Sequence, residues 1–262
     1  MSLDRLWAAL LSSPAFRHES FEPVLASVFF TVFIFVWWFI DSLPHCAAHS
    51  YRLSTGVCPK AAWRRAPGEA GVLQAALYLL PWLVLDSLWP RRVAMLESAD
   101  VPTVGGVLSD VCCSLFVFDT LFYAAHRALH AVPQLRAHHA RHHALGGALC
   151  AADSVRHSVL DGATDVLCSV AALNFVKSHP LSRALHNALA IWWIVEAHAA
   201  YDLPFMAHQL CPRVFAGPVM HKEHHARGDA GFAKLFTFWD AVCGTRGARK
   251  STSSLREAQS DH

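Results

Sequence analysis

Three short histidine clusters carry the chemistry legible in this chain: His126-Arg-Ala-Leu-His130, His138-His139-Ala-Arg-His142-His143 and His221-Lys-Glu-His224-His225. Their spacings are HxxxH, HxxHH and HxxHH. On a helix, residues at i, i+3 and i+4 share one face, so their side chains can converge on one point. His126 and His130 then form a pincer. His139, His142 and His143 form a face of three donors, and His221, His224 and His225 form another. His142 and His143 are adjacent, so they diverge and are free to serve different metals. A total of 18 histidines in 262 residues is a surplus, and metal binding is the commonest reason for one.

The clusters supply eight imidazoles. A structural zinc site uses four ligands and a catalytic one usually three. Eight is too many for one zinc and suits two octahedral ions with positions left open. Imidazole binds iron, zinc, copper and nickel alike, so the donor type does not choose the metal. Soluble di-iron bundles use Glu and Glu-x-x-His motifs, whereas only Glu223 lies inside a cluster here. The competing reading is a set of titrating surface histidines that sense pH.

The other histidines divide. His198 ends an apolar stretch between the second and third clusters and is a further candidate ligand, as is His157, which follows the second cluster. His138 breaks the helical face and is expected beside the ligands or in solvent. His179, His186 and His208 are expected to cap, pack or sit at an interface. His18, His45, His49 and His262 are expected to have no part in the metal site.

These clusters need elements to hold them. The chain is 54% apolar and only 16% charged, against roughly 25% charged in soluble domains. Its mean hydropathy is +0.29. A membrane is the natural place for such surface. Residues 1–22 read as an interfacial lead-in. Pro23–Ile40 carries no charge and ends near Trp37 and Trp38, as a spanning helix with an aromatic anchor does. A second apolar run covers Ala70–Leu85, and a third covers Val111–Ala125. The third is broken only by Asp119, a charge that is costly inside an apolar run unless a partner meets it. Asp119 lies two helical turns before His126 and is placed to orient that helix.

Val166–Val176 and Leu185–Val195 are shorter and together suit a helical hairpin entering the membrane and returning. Residues 246–262 form a polar, flexible tail. We therefore expect one all-α domain over 1–262, a polytopic membrane helical bundle. It is mainly transmembrane over 23–125 and carries a histidine-rich metal-binding cap over 126–245. The Lys/Arg bias of loop 44–70 and of the segment from Arg127 places both in the cytosol, with two crossings between them. The cap then faces the cytosol. No basic run is interleaved with aromatics, which excludes a nucleic-acid footprint. Eight scattered cysteines without a Cys-x-x-Cys pair read as reduced thiols.

At its three clusters the chain resembles the fatty acid hydroxylase superfamily of membrane di-iron enzymes, and within it the cholesterol 25-hydroxylases and their relatives. Supporting matches are Phe118-Asp119, His198-Ala-Ala-Tyr201-Asp202-Leu-Pro204-Phe205 and Phe238-Trp239-Asp240 followed by Gly244-Thr245. The resemblance implies an endoplasmic-reticulum membrane enzyme with two Fe ions. It would take O2 as co-substrate, with electrons from NADPH through a reductase or cytochrome b5. It implies hydroxylation of a membrane lipid or sterol, the side chain of cholesterol foremost. His157 falls where the related sterol C4-methyl oxidases carry a histidine. Glu196, Tyr201, Asp202, Trp239 and Asp240 are expected, with Asp119 and His138, to surround and orient the ligands. No general acid or base is assigned. The relatives usually have Ser-Gly at Ala199-Ala200 and Trp at Phe205. Two alternatives stay open: a sterol C4-methyl oxidase or lipid desaturase on the same scaffold, and a non-catalytic metal-binding or sterol-sensing membrane protein.

Overall fold

The computed structural model describes residues 2–44, 46–53, 91–144 and 149–247, with a few positions between 79 and 88. The helices are α1 (Leu3–Leu11), α2 (Pro14–Arg17), α3 (Phe21–Ser42), α4 (Arg92–Glu97), α5 (Val104–Ala131) and α6 (Pro133–His139). They continue as α7 (Val159–Phe175), α8 (Pro180–His198), α9 (Ala207–Leu210), α10 (Pro218–Arg227) and α11 (Phe238–Val242). Among the described residues, extended pairing is limited to two isolated bridges, Arg52↔Tyr201 and Phe215↔Phe236. The described residues are otherwise all-helical, as expected. The run Ala70–Leu85 falls largely, and the tail beyond 247 wholly, outside the described residues.

Local sequence explains where the helices begin and end. Thr103 caps α5 by accepting from the Gly106 amide at 3.0 Å. Ser158 and Asp161 form a reciprocal capping box at the start of α7. Pro133 opens α6 at its first position and disfavours helix at Val132, so α5 stops and the chain turns back. Gly228, at φ 73°, closes α10 in the left-handed conformation that favours glycine.

Four helices build the frame. α3, α5 and α8 run in one direction and α7 runs against them. At one end, Glu22 of α3 accepts from Arg183 of α8 at 2.7 Å and from Arg92 of α4 at 3.1 Å. The Asp110 carboxylate of α5 accepts from the His179 amide at the start of α8. Midway, Phe33 meets Trp192 edge to face. His186 of α8 lies between Ser114 of α5 and Ser169 of α7, at 2.9 and 3.3 Å. At the other end, Trp37 stacks on Tyr201, whose hydroxyl donates to Asp41 at 2.6 Å. This end gathers the histidines. α3 and α5 are each long and apolar enough to cross a membrane. The third apolar run thus lies on one helix that continues through His126 and His130.

Ala200 is a non-glycine residue at φ 59°, a conformation that costs an L-residue roughly 1–2 kcal/mol. Ala200→Gly should raise stability by about 1 kcal/mol. For a chain of this size that appears as a melting temperature higher by about 2–4 °C, measured in detergent by tryptophan fluorescence. An unchanged or lower value would show that the turn is not strained.

Candidate metal centre

Nine imidazoles converge at the end of the bundle in two adjoining groups. His126, His130, His139, His143 and His224 form the first, and His142, His198, His221 and His225 the second; each group offers donor atoms within 4.8 Å of one another. These are the eight box histidines together with His198. α5 supplies His126 and His130, and α10 supplies His221, His224 and His225. His139 ends α6, while His142 and His143 lie in the turn that follows it. That turn stays helical in pitch, because the amides of His142 and His143 both donate to the His139 carbonyl. The i, i+3, i+4 geometry therefore survives beyond the helix. Adjacent histidines diverge to different groups: His143 from His142, and His224 from His225.

The direction of each ring is set from outside. His126 Nδ1 donates to the Phe232 carbonyl at 2.8 Å, His142 Nδ1 to Arg156 at 2.9 Å, His198 Nδ1 to Ile194 at 2.7 Å and His224 Nδ1 to Ala230 at 2.8 Å. His139 Nδ1 donates to the Asp161 carboxylate at 2.9 Å. A carbonyl oxygen only accepts, so in His126, His142, His198 and His224 the proton on Nδ1 leaves Nε2 to present a lone pair. The Nε2 atoms of the two groups face one another. His126 and His143 each bring Nε2 within 3.1–3.2 Å of His139 Nε2. His221 Nε2 lies 3.0 Å from His198 Nε2 and 3.1 Å from His225 Nε2.

Where both nitrogens carry a bare lone pair they repel at this distance, and a cation between them reverses the sign. Two cis donors on one ion at about 2.1 Å lie about 3.0 Å apart in an octahedron and about 3.4 Å apart in a tetrahedron. His130 Nε2 and His224 Nε2 are buried without a hydrogen-bond partner, which native interiors avoid unless something else satisfies them. The donor set thus fits two divalent transition-metal ions.

Five of the imidazoles are also held neutral, as metal ligands must be. Burial, and then the neighbouring His139, push His143 down to about 4. Burial first also pushes His142, His221, His224 and His225 below the usual range, helped by His198 for the first two, by His143 for His224 and by His221 for His225. Free imidazole titrates near 6.5. Above that pH neither the folded nor the unfolded chain protonates these groups. Below it the unfolded chain binds protons that the fold refuses, so stability falls as pH drops from about 6.5 toward 4. Near-UV dichroism of metal-free protein should record this loss, and metal-loaded protein should release its ions over the same window. A flat profile would contradict the neutral cluster.

Two buried carboxylates hold the loop that orients the first group. Asp119 accepts from the amides of Lys234, Leu235 and Phe236 at 3.0, 2.7 and 3.3 Å. Asp240 accepts from the amides of Phe232 and Ala233 at 3.0 and 2.9 Å. Five successive backbone donors thus rest on two side chains, and this segment carries the Phe232 carbonyl that receives His126. Trp239 donates to Thr120 at 2.9 Å and stacks near Tyr123, tying α11 to α5.

Other expected residues lie farther out. His157 lines the same cavity as both groups but belongs to neither. Its ring packs so tightly on Gly162 that a Cβ there would sit 2.8 Å from it. Glu196 accepts from Trp192 at 2.6 Å, Tyr201 binds Asp41, and Asp202 accepts from His208 at 2.7 Å. His138 is exposed. His179 caps α8, and His186 packs inside the bundle. Asp161 was not singled out from the sequence as a partner of the site. Its Ser158-x-x-Asp161 spacing signals a helix start, but the contact with His139 joins segments that only the fold brings together.

A cavity of about 30 Å3 touches both groups. Phe122, Leu129 and Ile194 form its apolar wall, and the Lys234–Asp165 ion pair closes one side. The Lys234 ammonium lies 3.8 Å above the Phe122 ring.

An all-helical frame with two apolar helices and a convergent histidine cluster defines a histidine-box oxidoreductase class. The fatty acid hydroxylase family is matched over residues 111–245, and the chain belongs to that family. It is 28% identical to rat cholesterol 25-hydroxylase over 248 residues, 93% of this chain and 82% of the relative. The human cholesterol 25-hydroxylase matches at 28% over 248 residues, 92% of this chain and 87% of the relative. The C-4 methylsterol oxidase erg25 of Schizosaccharomyces pombe matches at 24% over 213 residues, 80% and 70% of the two chains. No solved structure matches the chain.

Proposed function

We propose that this chain is a non-haem di-iron monooxygenase of the endoplasmic-reticulum membrane that hydroxylates a sterol, with the side chain of cholesterol as the substrate site. The observation that carries the reading is the division of nine imidazoles into a group of five and a group of four. When bound, the irons supply reductive activation of O2 for attack on an unactivated C–H bond, with electrons from NADPH through a reductase or cytochrome b5. The chain's own residues hold and orient. His126, His130, His139, His143 and His224 take one ion, and His142, His198, His221 and His225 the other. The Nδ1 donations and Asp161 fix the rings, an outer contact that metal sites use to set ligand direction and basicity. Phe122, Leu129 and Ile194 keep the approach apolar, so the protein aims one carbon while the metals supply the reactivity. His157 stays a neighbour of the site in this assignment.

The multi-pass reading rests on direction. Leu53 binds the Ala200 carbonyl at the histidine end, while Arg92 binds Glu22 at the opposite end. Leu53 and Arg92 therefore lie at opposite ends of the bundle, which supports the reading of Ala70–Leu85 as a return crossing. With the basic segments in the cytosol, the metal centre faces the cytosol.

The test is expression with a reductase in cells, followed by sterol profiling. We expect 25-hydroxycholesterol from the wild-type chain and none from the His142→Gln/His143→Gln variant. Unchanged sterols with altered acyl chains would overturn the substrate. Consumption of 4-methyl sterols would favour the second reading, a C4-methyl oxidase, which the similarity to erg25 supports.

A further inference from the structure

The histidine-bearing half of the chain exposes an apolar surface that its role as a cap above the membrane does not explain. Phe205, Leu210 and Val242 are 69%, 68% and 62% exposed, and Val214 and Phe238 lie beside them with about half of their surface open. Single exposed apolar side chains are ordinary, but contiguous ones mark a surface that meets something. These belong to two segments, 204–214 and 238–244, that the structure joins. The Thr237 amide donates to the Val214 carbonyl at 2.9 Å, its hydroxyl donates to the Arg213 carbonyl at 2.6 Å, and Phe215 pairs with Phe236.

The charges follow a pattern. The carboxylates in and beside these segments, Asp202 and Asp240, are buried. The exposed charges are cationic, Arg213 and Arg246. Glu223, half-buried, lines the cavity beside Arg246. An apolar face with arginine at its exposed rim is how an element lies in a membrane interface, with cations toward anionic headgroups. The surface is also continuous with α5: Phe116, itself exposed on α5, lies 6.4 Å from Phe236 and 5.8 Å from Phe238. Phe116 precedes His126 by ten residues on the same helix, or ~15 Å along its axis. Phe215 stacks on Trp193 at 5.5 Å, five residues before His198 on α8. Phe215, Phe236 and Phe238, where the two segments meet, therefore sit beside the helix shafts, below the level of the histidines.

We propose that residues 204–214 and 238–244 form a collar seated in the lipid bilayer, so that the metal centre lies at the membrane surface rather than on a cap raised above it. The occupant of this surface is the acyl and headgroup region of an anionic bilayer leaflet. The collar rests on the reading of α3 and α5 as membrane spans.

The native chain in nanodiscs of phosphatidylcholine and phosphatidylserine, doped with a phosphatidylcholine bearing an acyl-chain diazirine, tests it. After illumination, peptide mass spectrometry should find lipid adducts on 204–214 and 238–244 at yields within about threefold of those on α3 and α5. Adducts on α3 and α5 with none on the two segments would overturn the collar and leave the spans standing. Absence of adducts on α3 and α5 as well would overturn the membrane reading beneath it. A chain that is dimeric by native mass spectrometry of the nanodiscs, with no lipid adducts on these segments, would assign the surface to self-association and overturn the lipid occupant.

Discussion

His198→Gln is expected to remove one of two bound irons and abolish hydroxylation, although His198 lies outside all three histidine clusters. The group it belongs to has four imidazoles and no carboxylate to replace one. His198 Nε2 lies 3.0 Å from His221 Nε2 and 3.4 Å from His142 Nε2, while its Nδ1 is tied to the Ile194 carbonyl at 2.7 Å. Removing the ring leaves three donors and a void of the wrong shape. Loss of an outer partner alone typically costs ~10–100-fold in metal affinity or activity. Asp161→Asn should fall in that range, because it weakens only the support of His139. His198→Gln should exceed its upper end. Metal analysis of purified protein gives the sharper readout: about one iron per chain for His198→Gln, and about two for wild type and for His157→Gln. Two irons in His198→Gln would remove His198 from the ligand set, and loss of iron from His157→Gln would add His157 to it.

Asp119→Ala is expected to be the most destabilising change away from the imidazoles. The carboxylate is 1% exposed and accepts from three consecutive amides. Alanine would leave those donors buried without partners, at ~1–3 kcal/mol each. Part of this is recovered if the loop relaxes toward water, so about 3–5 kcal/mol is the expected loss. The same loop presents the Phe232 carbonyl to His126, so metal retention should fall together with the melting temperature. Asp119→Asn keeps one accepting oxygen and should lose less of both. A melting temperature within 2 °C of wild type for Asp119→Ala, a shift worth under about 1 kcal/mol in a chain this long, would show that the cradle does not bear on the fold.

Much of this was open to reading along the chain. The runs Pro23–Ile40 and Val111–Ala125 lie on α3 and α5, and the two shorter runs lie on α7 and α8. Asp119 stood out because a carboxylate within an apolar run demands a partner, but that partner could not be read. It is a stretch of backbone 115–117 residues away, and backbone donors leave no signature in residue types. Tyr201 and Asp202 follow His198 closely in sequence, yet they turn to Asp41 and to His208. Nearness along the chain does not carry over once α8 has ended.

The sequence by itself determined the donor type, the number of box histidines and the convergence within each cluster, because i, i+3, i+4 geometry is local to one helical turn. It also determined that His142 and His143 must part. Only the tertiary structure decided the division into five and four, the entry of His198 as the ninth imidazole, and the exclusion of His157 from both groups. The physical reason is that a ring's direction is set by what its outer nitrogen meets. For His126 that is a carbonyl 106 residues away, and for His139 a carboxylate 22 residues away. Such contacts exist only after α5, α6, α7 and the loop before α11 have packed at one end of the bundle.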